Sequence, residues 1–476
     1  MPRIAIIVDH PQRDLAGLVL TAFRLCQEGV TCHLVPLNLQ DRELWALAPD
    51  FVLLNFARRG TEHLAAHLSE AGIKFGVLDT EGGVWRNPQE YSKLLWADRS
   101  LLRKVELLCA WGPTIANHLI KEGFFDPSRI TLTGCPRFDL YHPLWRWVLC
   151  EDPARETDQH KRILINTNFS FSNPRFASVE SHIERVQQDF GWQLTRIMKM
   201  LKAGTAGMAA VVELAQNLGR HFPFSEIILR PHPFEQDEYY RTRLANLENV
   251  SVDEEGPVQA QIHQADVIIQ RSCSTAIEAG IASVPTLSPQ WVPAEMEVPA
   301  AEEVSIPCSS YEKLRAMVKE ILSGSYEPSV AIRRRIERVV GAWFYRADGL
   351  AHQRVSATVS ACLGGARKVD ERLCTRLLYS LGNGSRKDLS YLAANIRCGF
   401  GLSPDWSFRQ MRRVPLLSWT STDKFFGVED VRSLTERVQT ASQAHGFAAR
   451  PVQVEFARTR DDYLQKYHGH SITLSC

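Results

Sequence analysis

A chain of 476 residues can bury more than one core, so two or three domains are expected. With 45% hydrophobic and 23% charged residues it reads as an ordinary globular protein, and a formal net charge of +1 argues against a polyanion-binding surface and a nucleic-acid partner. The apolar run Ile4 to Val8 is too short for a signal-peptide core, and no stretch approaches the ~20 residues of a membrane span. Eleven cysteines lie scattered without CxxC or Cys/His spacing, which points to reduced thiols rather than a disulfide framework or a zinc site. A cytoplasmic protein is expected.

The first elements alternate. RIAIIVD (3 to 9) has the apolar run of a strand, and LAGLVLTAFRLCQEG (15 to 29) has helical spacing and stops at Gly29. TCHLVPL (31 to 37), FVLLNF (51 to 56) and KFGVLDT (74 to 80) read as strands, with helical patterns over 62 to 72 and 89 to 105, and VELLCAWG (105 to 112) returns to strand. Continuous apolar strands in a β-α-β rhythm predict a parallel sheet covered on both faces. A second round follows: RILINTN (162 to 168), a helix over 195 to 221, EIILRPHP (226 to 233), NVSVDEE (249 to 255), DVIIQRS (266 to 272), the helix TAIEAGIA (275 to 282) and VPTLS (284 to 288). The expected fold is α/β with two facing Rossmann-like domains, over 1–160 and 161–345. Residues 346–476 are expected to form a crossing helix and an appendage. Its tail from 363 carries 17 Lys+Arg against 11 Asp+Glu, with Trp406, Trp419, Arg412 and Arg413.

Ligands of parallel α/β sheets sit at the carboxyl ends of the strands, so residues just past those ends matter most. Asp9-His10-Pro11-Gln12-Arg13-Asp14 follows the first strand, and Asp79-Thr80-Glu81-Gly82-Gly83 the fourth. Asn166-Thr167-Asn168, Arg230-Pro231-His232-Pro233 and Arg271-Ser272-Cys273-Ser274-Thr275 follow strands of the second round. In SCSTAIEAG, Glu278 stands three residues after Thr275, the capping-box spacing, at a helix start that suits an anion. A plain N-cap is the alternative. His232, fixed between prolines, and Arg230 are candidates for a second phosphate or nucleotide oxygen. GxGxxG and GxxxxGK[ST] are both absent, which counts against NAD and a P-loop hydrolase. In DTEGG a carboxylate beside two glycines can serve as general base or nucleophile where a ligand approaches closely, or the stretch is a glycine turn with solvated acids. In GCPRFDL, Arg137 and Asp139 are expected to pair and hold a loop.

The ordered motifs DHPQRDL, LDTEGG, TGCPRFDL, ILINTNFSFSN, RPHPFE and STAIEAGIASVPTL, over about residues 3 to 350, resemble the bacterial surface carbohydrate (surface polysaccharide) biosynthesis family. The resemblance implies a metal-independent glycosyltransferase of the GT-B type, needing no cofactor, with the nucleotide-sugar donor held mainly by the second domain. It is similar to bacterial sialyltransferases and capsule Kdo transferases, which use CMP-activated acidic sugars. On that likeness Glu81 or Asp79 matches the acidic motif, His232 and Pro233 the HP motif, and Ser272, Ser274 and Thr275 the Ser/Thr motif. Asn166, Asn168, Arg230 and Glu278 complete the expected donor-binding set. The implied partners are a nucleotide sugar and a glycan or glycolipid acceptor, with peripheral membrane association. A CDP-alcohol polyol-phosphate transferase, a sugar-nucleotide 2-epimerase and a non-catalytic scaffold are the alternatives.

Overall fold

The computed structural model describes residues 1–83, 85–149, 161–175, 178–364, 369–380, 426–447, 449–457 and 471–476. Two compact units emerge, one from residues 1–83, 87–149 and 342–476, the other from 84–86 and 150–341. The chain is α/β, and each unit is Rossmann-like.

In the first unit β1 (Arg3–Val8), β2 (Thr31–Pro36), β3 (Phe51–Leu54), β4 (Lys74–Val77), β5 (Leu107–Ala110) and β6 (Ile130–Leu132) are parallel, in the order β2-β1-β3-β4-β5-β6. From Ile4 onward β1 is buried throughout, as is all of β3, because helices cover both faces. The chain leaves β1 to one side and later fills the other, so the order reverses between β1 and β3. The expected helix over 89 to 105 is two short ones, Pro88–Ser92 and Arg99–Leu102. Asn87 and Asp98 each cap a separate start, accepting from the N–H of Glu90 and Ser100.

The second unit is a six-stranded parallel sheet of β7 (Arg162–Asn166), β8 (Glu226–Arg230), β9 (Val250–Val252), β10 (Val267–Gln270), β11 (Thr286–Pro289) and β12 (Ile306–Cys308). Its order, β12-β11-β10-β7-β8-β9, is that of the dinucleotide-binding fold, with reversal between β7 and β10. The core joins Ile163, Ile165, Leu229 and Ile269 of the strands to Met208, Val211 and Leu218 of the helix Leu194–His221.

The tail differs from the expected separate appendage. Its described parts pack on the first unit. β13 (Gln453–Phe456) and β14 (Ile472–Ser475) extend that sheet antiparallel beside β2, and the helices Ala351–Leu363 and Val428–Ala444 cover the helix Ala16–Gln27. The physical reason is exposure. Without β14, β2 would be an open edge, and the helix Ala16–Gln27 is buried almost all round and needs cover on its outer side. Trp406, Arg412, Arg413 and Trp419 lie outside the described residues. Among the described residues no helix is long and apolar enough to cross a membrane, and the nine described cysteines are free.

Candidate functional site

In the second unit Asn166 ends β7 directly beside Gln270 at the end of β10, so the two following loops start side by side at the switch point. Asn166 Nδ2 donates to Thr275 Oγ1 at 3.0 Å, and Asn168 Nδ2 to the Ser272 carbonyl at 3.1 Å. Asn166 is buried, and its Oδ1 has no hydrogen-bond partner. Ser272 sits in the left-handed region at φ 55°, a strained place for a residue with a Cβ. Glu302 holds it there, accepting from Ser272 N (2.7 Å) and Oγ (2.9 Å) while pairing with Arg271 at 2.6 Å. Burial opposes the charge of Glu302, but Ser288, Arg271 and Ser272 hold it below the ordinary carboxylate range. Ser272 therefore shapes the turn.

The expected capping box does not form. Thr275 Oγ1 is engaged with Asn166 and Cys273, Ser274 is exposed at the N-cap with no side-chain cap bond, and Glu278 is buried in the helix. The helix Thr275–Ile281 is only 7 residues long, so side-chain and backbone donors matter more here than any dipole.

β8 runs beside β7 with Arg230 opposite Asn166. Arg230 is buried and donates to the carbonyls of Glu255 (3.1 Å) and Gly256 (2.6 Å), so it braces the loop after β9. The half-buried His232 accepts at Nδ1 from the Phe234 N–H at 3.2 Å. In the neutral ring that places the proton on Nε2. Pro233 is also half-buried in this turn. Beneath the turn lies fully buried Glu235, whose Oε1 accepts from Thr167 Oγ1, Phe169 N and His232 N, and whose Oε2 accepts from Tyr240 at 2.6 Å. One carboxylate thus ties the loop after β7 to the loop after β8, and burial pushes it above its usual range. Glu295 repeats the device, accepting from Phe171 N and Ser172 N at 2.9 Å each, and burial pushes it up to about 7.

The first unit's strand ends carry a charge cluster. Arg13, on the π-helical turn Pro11–Leu15, donates to Asp9 (2.9 Å) and Asp14 (3.1 Å) and lies 3.5 Å from Glu81. Arg58, just past β3, donates to Asp79 at 2.9 Å and to Glu81 at 2.7 Å. Buried Asp79 also accepts from the Glu81 N–H (2.8 Å) and from Tyr91 (3.1 Å). Burial pushes Asp79 upward, and Arg58 and these donors pull it back. Glu81 keeps 48% of its side chain exposed. Desolvation opposes its charge, but Arg58 and Arg13 outweigh that and hold it below the usual range. Gly82 and Gly83 answer to Trp111: a Cβ on either would lie 2.9 Å from the indole. A ring packed against the turn demands them, rather than a ligand's approach.

Arg137 does not pair with Asp139. Its Nη1 lies 3.5 Å from Asp14, with the guanidinium over Trp111 and Phe138. Asp139 accepts instead from Ala351 N, His352 N and His352 Nδ1, at 2.7–2.9 Å, and so caps the helix Ala351–Leu363. Sequence reasoning passed over Arg58, Glu235 and Glu302 as site residues. The available signal was Arg58 two residues before a glycine at a strand end. Among the described residues no group of three or more His, Cys, Asp or Glu side chains is placed to hold a metal ion.

No protein-family model matches the chain, and no curated protein sequence matches it. Solved structures similar to it include a protein from Listeria monocytogenes provisionally identified as a UDP-N-acetylglucosamine 2-epimerase. That match has 15% identity and a TM-score of 0.49, over 77% of this chain and 97% of the other. The UDP-N-acetylglucosamine 2-epimerase of Methanocaldococcus jannaschii matches at 14% identity and a TM-score of 0.48, over 76% of this chain and 100% of its own. The wall teichoic acid polymerase TagF matches at 11% identity and a TM-score of 0.36, over 61% of this chain and 68% of its own.

Proposed function

We propose that the chain is a glycosyltransferase of the GT-B type acting in surface polysaccharide or lipopolysaccharide assembly. The proposed donor is a CMP-linked acidic sugar of the Kdo or sialic-acid kind, and the acceptor a hydroxyl of a glycan or glycolipid. The observation that carries this reading is the second unit's switch point. There Asn166, Asn168 and Thr275 are linked across two strand ends, and His232 stands on the neighbouring one. The amide and hydroxyl donors suit the phosphate and nucleoside of a donor without titrating near neutral pH, and the imidazole adds an N–H. Ser274 and Thr275 are assigned to the phosphate and His232 Nε2–H to a phosphate oxygen, with Pro233 and Glu235 fixing the turn. Glu278, expected in the donor-binding set, is buried in the helix Thr275–Ile281 and has no proposed part in the reaction.

In the proposed reaction the acceptor hydroxyl attacks the anomeric carbon and the bond to the donor phosphate oxygen breaks, so CMP leaves. The hydroxyl proton passes to Glu81, the exposed carboxylate of the first unit's cluster, while Asp79 braces the turn. The test pairs two measurements. Thermal shifts with CMP, CMP-sugar, CDP-alcohol and UDP-sugar should single out the CMP ligands, with about 2.7 kcal/mol of stabilisation at ~100 times the dissociation constant. Glu81→Gln should then reduce transfer by roughly 10²–10⁴-fold with CMP affinity unchanged. Stabilisation by a CDP-alcohol alone would move the assignment to a polyol-phosphate transferase, and none by any nucleotide would leave a scaffold.

A further inference from the structure

At Gly191, in the left-handed region at φ 65°, the chain turns from the helix Val179–Phe190 toward the helix Leu194–His221. The corner reads WQLTRIMKMLK, residues 192 to 202. Ile197 faces the core, whereas Leu194 is 51% and Met198 53% exposed. With half-buried Leu201 they fall at spacings of four and three, one stripe along the helix. Lys202 is exposed on the flank of that stripe, Lys199 lies exposed further round the same side, and Arg196 is exposed toward the opposite side of the helix. Between Asp189 and Glu213 there is no acidic residue. At the corner itself Trp192 is half-buried, with the Arg196 guanidinium 4.0 Å above its ring. The acids nearest in sequence with described side chains, exposed Glu180 and Glu184, lie on the preceding helix about two to three turns before the corner.

Exposed aliphatic side chains alone fit many partners. The unbroken basic run beside them selects one. Leucine, methionine and tryptophan enter the headgroup boundary of a bilayer, while long basic side chains reach its phosphates. We propose that this corner of the second unit is a docking surface for an anionic phospholipid membrane, with Leu194 and Met198 inserted, Trp192 at the boundary under Arg196, and Lys199 and Lys202 on the headgroups. The proposal does not depend on the sugar-transfer reading, and it would bring the chain to the surface where a lipid-linked acceptor lies.

Co-sedimentation of the full chain with vesicles tests it. Vesicles of equal parts phosphatidylcholine and phosphatidylglycerol should bind the chain, phosphatidylcholine alone should not, and salt should weaken the binding. Lys199→Glu with Lys202→Glu should reduce binding at least tenfold, since each basic residue near an anionic surface is worth about fivefold. Leu194→Ser with Met198→Ser should also lose about tenfold. Every substituted side chain is exposed, so melting temperatures should hold. Phe224→Ser is the control, 91% exposed beyond the far end of the same helix, and should bind as the parent does. No binding to anionic vesicles, equal binding to neutral ones, or binding indifferent to both double substitutions would overturn the proposal. So would an equal loss in Phe224→Ser.

Discussion

The two strand-end edges are built from opposite materials. In the first unit Asp9, Asp14, Asp79 and Glu81 are held by Arg13 and Arg58, so charge is balanced by charge. In the second, Glu235, Glu295 and Glu302 accept from backbone amides of the surrounding loops, and only Glu302 meets a guanidinium. Apart from Arg230, which is engaged with carbonyls, what remains at those strand ends is amide, hydroxyl and imidazole. The difference separates two jobs. An edge of carboxylates poised by arginines can move a proton once a partner yields, whereas amide and hydroxyl donors keep the same hydrogen-bonding state across neutral pH.

The sharpest way to break the comparison is Asp79→Asn. It removes a buried charge that Arg58 depends on, and breaking such a pair costs about 4 kcal/mol. Denaturant unfolding should show the loss in the first unit's transition, with the second unit's unmoved. A loss below ~1 kcal/mol would mean that Glu81 alone satisfies Arg58 and that the cluster is not a buried network.

A smaller effect should come from the second edge and carry an unusual sign. Burial pushes Glu295 up to about 7 from an ordinary 4.5, so the folded state binds its proton more tightly than the unfolded state does. The associated stability is present below pH ~4.5 and is lost as the pH rises through ~7, about 3 kcal/mol in all. Glu295→Gln should flatten that slope in melts at stepped pH. Glu235 and Asp79, raised by the same cause, keep part of it. A wild-type profile that climbs across this window would show that His33, which burial holds neutral with its pKa down at about 3, outweighs Glu295 instead. Smallest is His232→Ala, which should weaken CMP binding by ~1.5 kcal/mol, about tenfold, in calorimetric titration. Unchanged affinity in a folded variant removes His232 from the donor site and leaves the neutral edge to Asn166 and Thr275.

Parallel strands made much of this edge chemistry legible. A continuous apolar run that ends in polar residues locates the carboxyl edge, and β1, β4, β7, β8 and β10 all ended where the polarity begins. Pairing across the edge was not legible. Thr275 follows Asn166 by 109 positions, and only the strand order brings them together, which is why a capping box was expected instead. Arg230 looked like a phosphate ligand because nothing local reveals the carbonyls of Glu255 and Gly256 folding back on it. Gly82 and Gly83 looked like room for a ligand because Trp111 comes from another strand end, just past β5. The tail was missed because an antiparallel pair and solitary helices interrupt the β-α-β rhythm. Yet the helix Ala16–Gln27, apolar almost all round, already required a cover.

That cover has a consequence for the time order of assembly. β14 pairs with β2 across some 440 positions, with Thr473 Oγ1 at 2.9 Å from His33 Nδ1. At a synthesis rate of roughly 5–20 residues per second, β2 emerges on the order of twenty to ninety seconds before its partner exists. Throughout that interval it is an open edge, available to any other nascent strand. The second unit, nearly continuous in sequence, has all of its strands well before then. The unit begun first is therefore finished last, and its exposed edge sets the period in which a growing chain most needs a chaperone.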